Sequence, residues 1–322
     1  MKLILSTSNT MSGSPSVIRR PFFEKSNTEL TSSLRANFSA HQSSPPSTAH
    51  GTAAKPNYKS WTTQESSNGT LFIPTHSPSP LSEPRESYDI TVKLFYLPNI
   101  PTDRRCAQTR DAIELVLKEL GTSCIDLLIV SFPGVSFDAD DEDSDLDDET
   151  TSAPPSTSSP TLNDGDCPDA DVPPEDMETI ITTWRSLEKL QKDGLVSRLG
   201  IAEFGVTRLA KFLEQVNVKP SVNQINVRDC CVVPKPLILF AKQQQVELLT
   251  HNDCTNILPR GTLRQLLGTG PEGCGVLAGE GNPDGLRGNV EPQWVIKYTA
   301  VVKDRGVVES KGYFAAAELT DS

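Results

Sequence analysis

The 322-residue chain has no run of about eighteen apolar residues, so its sequence holds no candidate membrane-spanning helix. Its seven cysteines (106, 124, 167, 230, 231, 254 and 274) are odd in number, irregularly spaced and without a C-x-x-C pair. That pattern argues against a disulfide framework or a spacing-defined zinc site and suits a reducing compartment. The opening MKLILSTSNTM has only three consecutive apolar residues after Lys2, short of a secretory core, so a soluble cytosolic (cytoplasmic) protein is expected. Asn37 and Asn68 sit in glycosylation sequons, which carry no weight without a secretory signal. Basic residues are missing from one long stretch. Residues 138–178 carry 16 Asp or Glu and no Lys or Arg, which leaves 26 acids against 30 bases elsewhere. The net charge of −12 therefore belongs to that stretch, the rest is close to neutral, and neither nucleic acid nor an anionic membrane is an expected partner.

Order along the chain follows composition. Residues 10–87 are rich in Ser, Thr, Pro and Asn with scattered aromatics, so 1–87 reads as a largely loose, low-complexity segment with short strands at 3–6 and 71–73. From Tyr88 the run YDITVKLFY alternates and is β-branched, as a strand requires. Ile113, Val116, Leu117 and Leu120 recur at helical spacing before Gly121, predicting a helix over 104–120. CIDLLIV over 124–130 is the nearly continuous apolar run of a strand covered on both faces. Residues 134–175 have almost nothing to bury and read as a disordered acidic insertion. Its simplest role is a solvated spacer, although phosphorylation of its Ser and Thr residues could make it a docking tail.

Beyond it, Met177, Ile180, Ile181, Trp184, Leu187 and Leu190 keep helical spacing. A strand over 196–204, a helix over 207–216, a strand over 221–227, a helix over 235–244 and a strand from 246 follow, then a short helix at 263–267, a last helix over 292–303 and a strand at 307–308. Strands alternating with helices at this rhythm predict an α/β protein, a TIM-type (β/α)8 barrel, closed or incomplete, formed by 88–133 and 176–322.

Lys93 in its strand, LGTSCIDLLIVSFP over 120–133, Trp184 with Leu187, KDGLVSRLGI over 192–201 and VNQI over 222–225 resemble, in order, the motifs of the aldo-keto reductases. YTAVVKDRGVV over 298–308 is similar to that family's final helix and strand. Such a reductase uses a Tyr acid, with a Lys and an Asp that tune it, and a His that orients the carbonyl beside a nicotinamide. The resemblance matches Lys93 to the family Lys, but puts Ser131 at the His position and Phe132 at the adjacent Trp position. Tyr58 lacks the family context and Tyr88 lies too near Lys93, so no catalytic residue is expected and Lys93 reads as a vestige, a snorkelling or salt-bridged lysine.

For the cofactor, Gln224 matches the carboxamide-binding Gln, Ala202 and Glu203 replace Ser-Asn, and His251 stands for the Tyr that stacks on nicotinamide. Lys311 is similar to a phosphate-site Lys, though Gly312 replaces Ser and no downstream Arg follows. Gln224, His251 and Lys311 are thus weak candidates, and no cofactor is expected.

VKPSVNQINV over 218–227, DCCVVP over 229–234, FAKQ over 240–243, LLTHND over 248–253 and the stretch from Trp294 to Tyr313 resemble more specifically the regulatory subunits of glutamate-cysteine ligase, a non-catalytic branch of that superfamily. This resemblance implies a heterodimer with the catalytic subunit that favours glutathione biosynthesis. The alternative is an NADPH-dependent reductase of small carbonyl compounds, and a third is a redox-sensing scaffold. Cys230 and Cys231 are candidates for a redox or partner contact, with packing as the competing role. His251 and Cys254 have a loosely metal-like spacing but no second pair, so no metal is expected.

Overall fold

The computed structural model describes residues 1–12, 26–43, 56–98, 100–137, 172–226, 233–254 and 256–320. In chain order the elements are β1 (Lys2–Ser6), α1 (Ser26–Ser43), β2 (Thr63–Gln64), β3 (Leu71–Ile73), β4 (Tyr88–Tyr96), α2 (Arg105–Leu120), β5 (Ile125–Ser131), α3 (Met177–Lys192), β6 (Val196–Ala202), α4 (Val206–Leu213), β7 (Val222–Asn226), α5 (Lys235–Gln244), β8 (Glu247–His251), α6 (Thr262–Leu267), β9 (Asn289–Val302) and β10 (Val307–Thr320). One ten-stranded sheet runs in the order β2-β3-β1-β10-β9-β4-β5-β6-β7-β8.

Strands β4 to β8 pair in parallel and are joined through α2 to α5, which is the βα repeat that the alternation predicts. Local chemistry sets the helix ends. Gly121 ends α2 at φ 63°, in the left-handed region that suits glycine. Asp176 caps α3, its Oδ1 accepting from the Thr179 amide at 2.9 Å.

The other half of the sheet is not βα. β9 runs antiparallel to β4 and β10 antiparallel to β9, and β1 then adds to β10, so the barrel is incomplete: among the described residues no strand joins β8 to β2. The helix expected over 292–303 is thus a strand. Trp294, Ile296, Tyr298, Ala300 and Val302 alternate with Val295 and Lys297, a period of two, and both faces of that strand are covered, so the run looks continuously apolar. The strand expected at 307–308 runs on to Thr320, and Lys311 lies inside it.

Two layers cover the sheet. On one side Val92, Leu94, Val130, Ile201 and Trp294 pack against Val116 of α2, Trp184 of α3, Phe212 of α4 and Leu237 of α5. On the other, Leu3, Leu5, Phe95, Val295 and Ala315 pack against Leu30, Leu34 and Phe38 of α1 and Leu263, Leu266 and Leu267 of α6. Residues 26–43, loose on composition alone, are therefore a helix docked on the core, and Tyr58 and Trp61 are buried beside it. Most of the acidic insertion, 138–171, lies outside the described residues, as do Cys167, Cys230 and Cys231.

Candidate functional site

Register brings the first charges together. Tyr313 of β10 faces Lys297 of β9, Lys297 faces Lys93 of β4, and Lys93 faces Ile129 of β5, all in one cross-strand row. Lys93 is 4% exposed, and a buried ammonium needs a counter-charge. Asp253, two residues beyond β8, supplies it: Lys93 Nζ donates to Oδ2 at 2.9 Å and Lys297 Nζ to Oδ1 at 3.0 Å. Burial pushes the Asp253 carboxyl up, but the charges of Lys93 and Lys297 outweigh it and hold the group well below the usual carboxylate range. Burial pulls Lys93 below the usual lysine range, with Asp253 acting the other way. The Lys93 ammonium also lies 5.1 Å from the centre of the Phe95 ring.

A second pair closes the carboxyl ends of β6, β7 and β8. His251 Nδ1 accepts from the Asp253 amide at 3.0 Å, so the neutral ring carries its proton on Nε2, which meets Glu203 Oε1 at 2.5 Å. Burial, and then the charge of Lys93, lower the His251 pKa, with Glu203 and Asp253 acting the other way. Glu203 adopts φ 66°, a left-handed conformation that a non-glycine residue holds only when its surroundings compel it. Here the Asn226 amide donates to its Oε1 at 2.8 Å, and the flanking Phe204 amide and carbonyl are both tied to the Asn223 side chain.

The other expected residues are dispersed. Ser131 is buried at the end of β5, beside Phe95 in the strand pairing, while Phe132 turns to the opposite layer and packs with Tyr96. Tyr58 belongs to the α1 layer, and Tyr88 donates its hydroxyl to Glu309 at 2.7 Å. Lys311 pairs with Glu29 of α1, which also accepts from Tyr313 Oη at 2.7 Å. Among the described residues no group of three or more His, Cys, Asp or Glu could hold a metal ion. Asp253, Lys297, Glu29 and Tyr313 were not foreseen. A lone cation inside WVIKYTAVV was the available signal for Lys297, since such a lysine demands a buried partner.

The nicotinamide that the resemblance invokes fits poorly. Gln224 Oε1 is buried without a hydrogen-bond partner and suits an amide donor. The Glu203 carboxylate and His251 are bonded to each other, however, and Lys311, within a strand, is paired with Glu29 in the first turn of α1, whose carboxylate opposes a phosphate there. The antiparallel β9–β10 pair lies beside β4, where a complete barrel would place the repeats that precede that strand.

A model described as the Aldo/keto reductase family matches residues 75–256. The human glutamate–cysteine ligase regulatory subunit is 27% identical over 238 residues, 74% of this chain and 69% of that protein. A putative regulatory subunit of the same ligase from Schizosaccharomyces pombe is 26% identical, over 79% of this chain and 80% of the relative. Glyoxal reductase of Bacillus subtilis is 38% identical across only 66 residues, 20% of this chain and 24% of that enzyme. Among solved structures, the aldo-keto reductase MGS-M4 from a Medee basin deep-sea metagenome library aligns at 19% identity with a TM-score of 0.33, over 52% of this chain and 45% of that one, so the chain spans less than half of its length. The family match takes in more than half of the chain and covers the strands that carry Lys93, Ser131, Gln224 and His251, and the chain therefore belongs to the aldo/keto reductase family.

Proposed function

We propose that this protein is a non-catalytic regulatory subunit of glutamate-cysteine ligase, which binds the catalytic subunit in a heterodimer and enhances glutathione biosynthesis. The observation that carries the proposal is what surrounds Lys93. Lys93, which a reductase would turn toward a tyrosine acid, is committed to Asp253, and Ser131 stands where an imidazole would orient a carbonyl. A reductase also sets an Asp beside this lysine, and the departure is that among the described residues the hydrogen bond of Lys93 goes to Asp253 and none goes to a tyrosine hydroxyl. The names of the relatives support the same reading. A subunit of this kind acts by binding the active conformation of its partner more tightly than the inactive one, a coupling between sites with no chemical step of its own. A cytoplasmic setting is part of the proposal. Among the described residues no helix is long and apolar enough to cross a membrane.

The test is ligase activity of the matching catalytic subunit with and without this protein, across glutamate concentration and with glutathione added, beside NADPH oxidation with a panel of aldehydes. Raised ligase efficiency or relieved inhibition without NADPH turnover is the expected result. Unchanged ligase kinetics with aldehyde reduction would overturn it and favour an NADPH-dependent reductase of small carbonyl compounds, the reading that the unpartnered Gln224 Oε1 supports.

A further inference from the structure

Among the described residues the sheet ends at β8, and what lies there is chemically distinctive. In α5 the residues Lys235, Ile238, Leu239 and Lys242 fall at i, i+3, i+4 and i+7, one face of the helix, and all four are exposed. Leu237 and Ala241, on the opposite face, are the residues that α5 buries in the core. Ile238 and Leu239 are 45% and 59% exposed, and they are two of the five large hydrophobic side chains exposed among the described residues. Single exposed apolar side chains are ordinary, whereas an adjacent pair set between two lysines at the open end of a sheet is a patterned surface.

The neighbouring edge is open as well. β8 pairs with β7 and, among the described residues, with no strand on its far side, and its Leu248 and Leu249 are only half-buried. Beyond β8 the chain crosses to the α1 side of the sheet, where α6 packs, so no described element follows α5 around the barrel. A complete barrel would put its next repeat there.

Charge indicates the occupant. Residues 206–251 carry six Lys or Arg (208, 211, 219, 228, 235 and 242) and three Asp or Glu (214, 229 and 247), a local balance of +3 in a chain of net charge −12. Glu247 is itself near Arg198, at 4.0 Å. We infer that the α5 stripe and the β8 edge form the docking surface for the catalytic ligase subunit, which meets it with apolar side chains set between carboxylates. This inference rests on the regulatory reading above. Apolar anchors ringed by like charges give such an interface its hold, and the charges speed and orient encounter.

The full-length protein and its Ile238→Asp/Leu239→Asp, Lys235→Glu/Lys242→Glu and Val307→Asp variants are titrated onto the catalytic subunit, with ligase activation as a second readout. Val307, 54% exposed in β10, is the control apolar site. Both double variants are expected to weaken binding at least tenfold, the lysine pair also flattening its salt dependence, while Val307→Asp binds like the wild type. Because all the substituted side chains are exposed, circular dichroism should be unchanged, and the two double variants check each other should one fail to fold. Wild-type binding by both double variants overturns the inference and leaves the regulatory reading intact. No binding or activation by the wild-type protein overturns the regulatory reading, and this surface with it. A self-dimer of the wild type that the apolar variant abolishes, with ligase binding preserved, gives the surface to a second copy and also refutes the assignment.

Discussion

Replacing Asp253 by Asn should be far more damaging than replacing Lys93 by Met, although the two residues form one ion pair. Asp253 neutralises both Lys93, at 2.9 Å, and Lys297, at 3.0 Å. Without its charge Lys93 stays buried beside a second cation, and removing one partner of a buried pair costs about 3–5 kcal/mol. Lys93→Met instead removes the buried charge itself and fills much of the same volume, while Asp253 keeps Lys297, so the expected loss is about 1 kcal/mol or less, in line with apolar replacement of buried ions. The gap between the variants is then about 2–4 kcal/mol. With a urea dependence of about 3 kcal/mol per M, that separates their midpoints by roughly 1 M. Urea unfolding followed by the fluorescence of Trp61, Trp184 and Trp294, all buried, measures it. Equal midpoints, or an Asn variant within about 0.5 kcal/mol of wild type, would refute the reasoning, because surface-like pairs contribute that little. The pH profile gives a second check. A carboxylate held below its unfolded value of about 3.9 adds stability above that value and loses it as the pH falls through the acid range, so the Asn variant should have a flatter profile below about pH 5.

His251 provides a separate pH dependence: with its folded pKa lowered by burial and by Lys93, the unfolded chain takes up the extra proton below about pH 6.5. Stability should therefore fall between pH 7 and pH 5, and His251→Gln should remove that part of the slope in thermal melts. Leu34→Ala should cost about 2–5 kcal/mol, since the side chain is fully buried where α1 meets the sheet, and a surface-like loss below 0.5 kcal/mol would mean that α1 does not dock. Gly312→Ala should destabilise by about 1–3 kcal/mol, because a Cβ there would lie 2.4 Å from Tyr298 Oη and 2.6 Å from the Ser8 carbonyl oxygen; adding Tyr298→Phe should recover only the part due to the hydroxyl.

What the sequence by itself determined is the local part. Periodicity and capping are written in neighbouring residues, so α2, α3, α5 and the strands they join were legible, whereas Lys93, Ser131, Gln224 and His251 were picked out by resemblance to family motifs and not by local physics. Leu30, Leu34 and Phe38 also lie at helical spacing, but amid serines and threonines that stripe stabilises nothing until β1 and β10 provide a face to cover. Only the tertiary structure decided that WVIKYTAVV is a strand, because burial on both faces erases the alternation that marks one. It alone also decided the partner of Lys93. Asp253 is 160 positions from Lys93, and a partner at that distance is chosen by the order and register of strands, which no local pattern encodes.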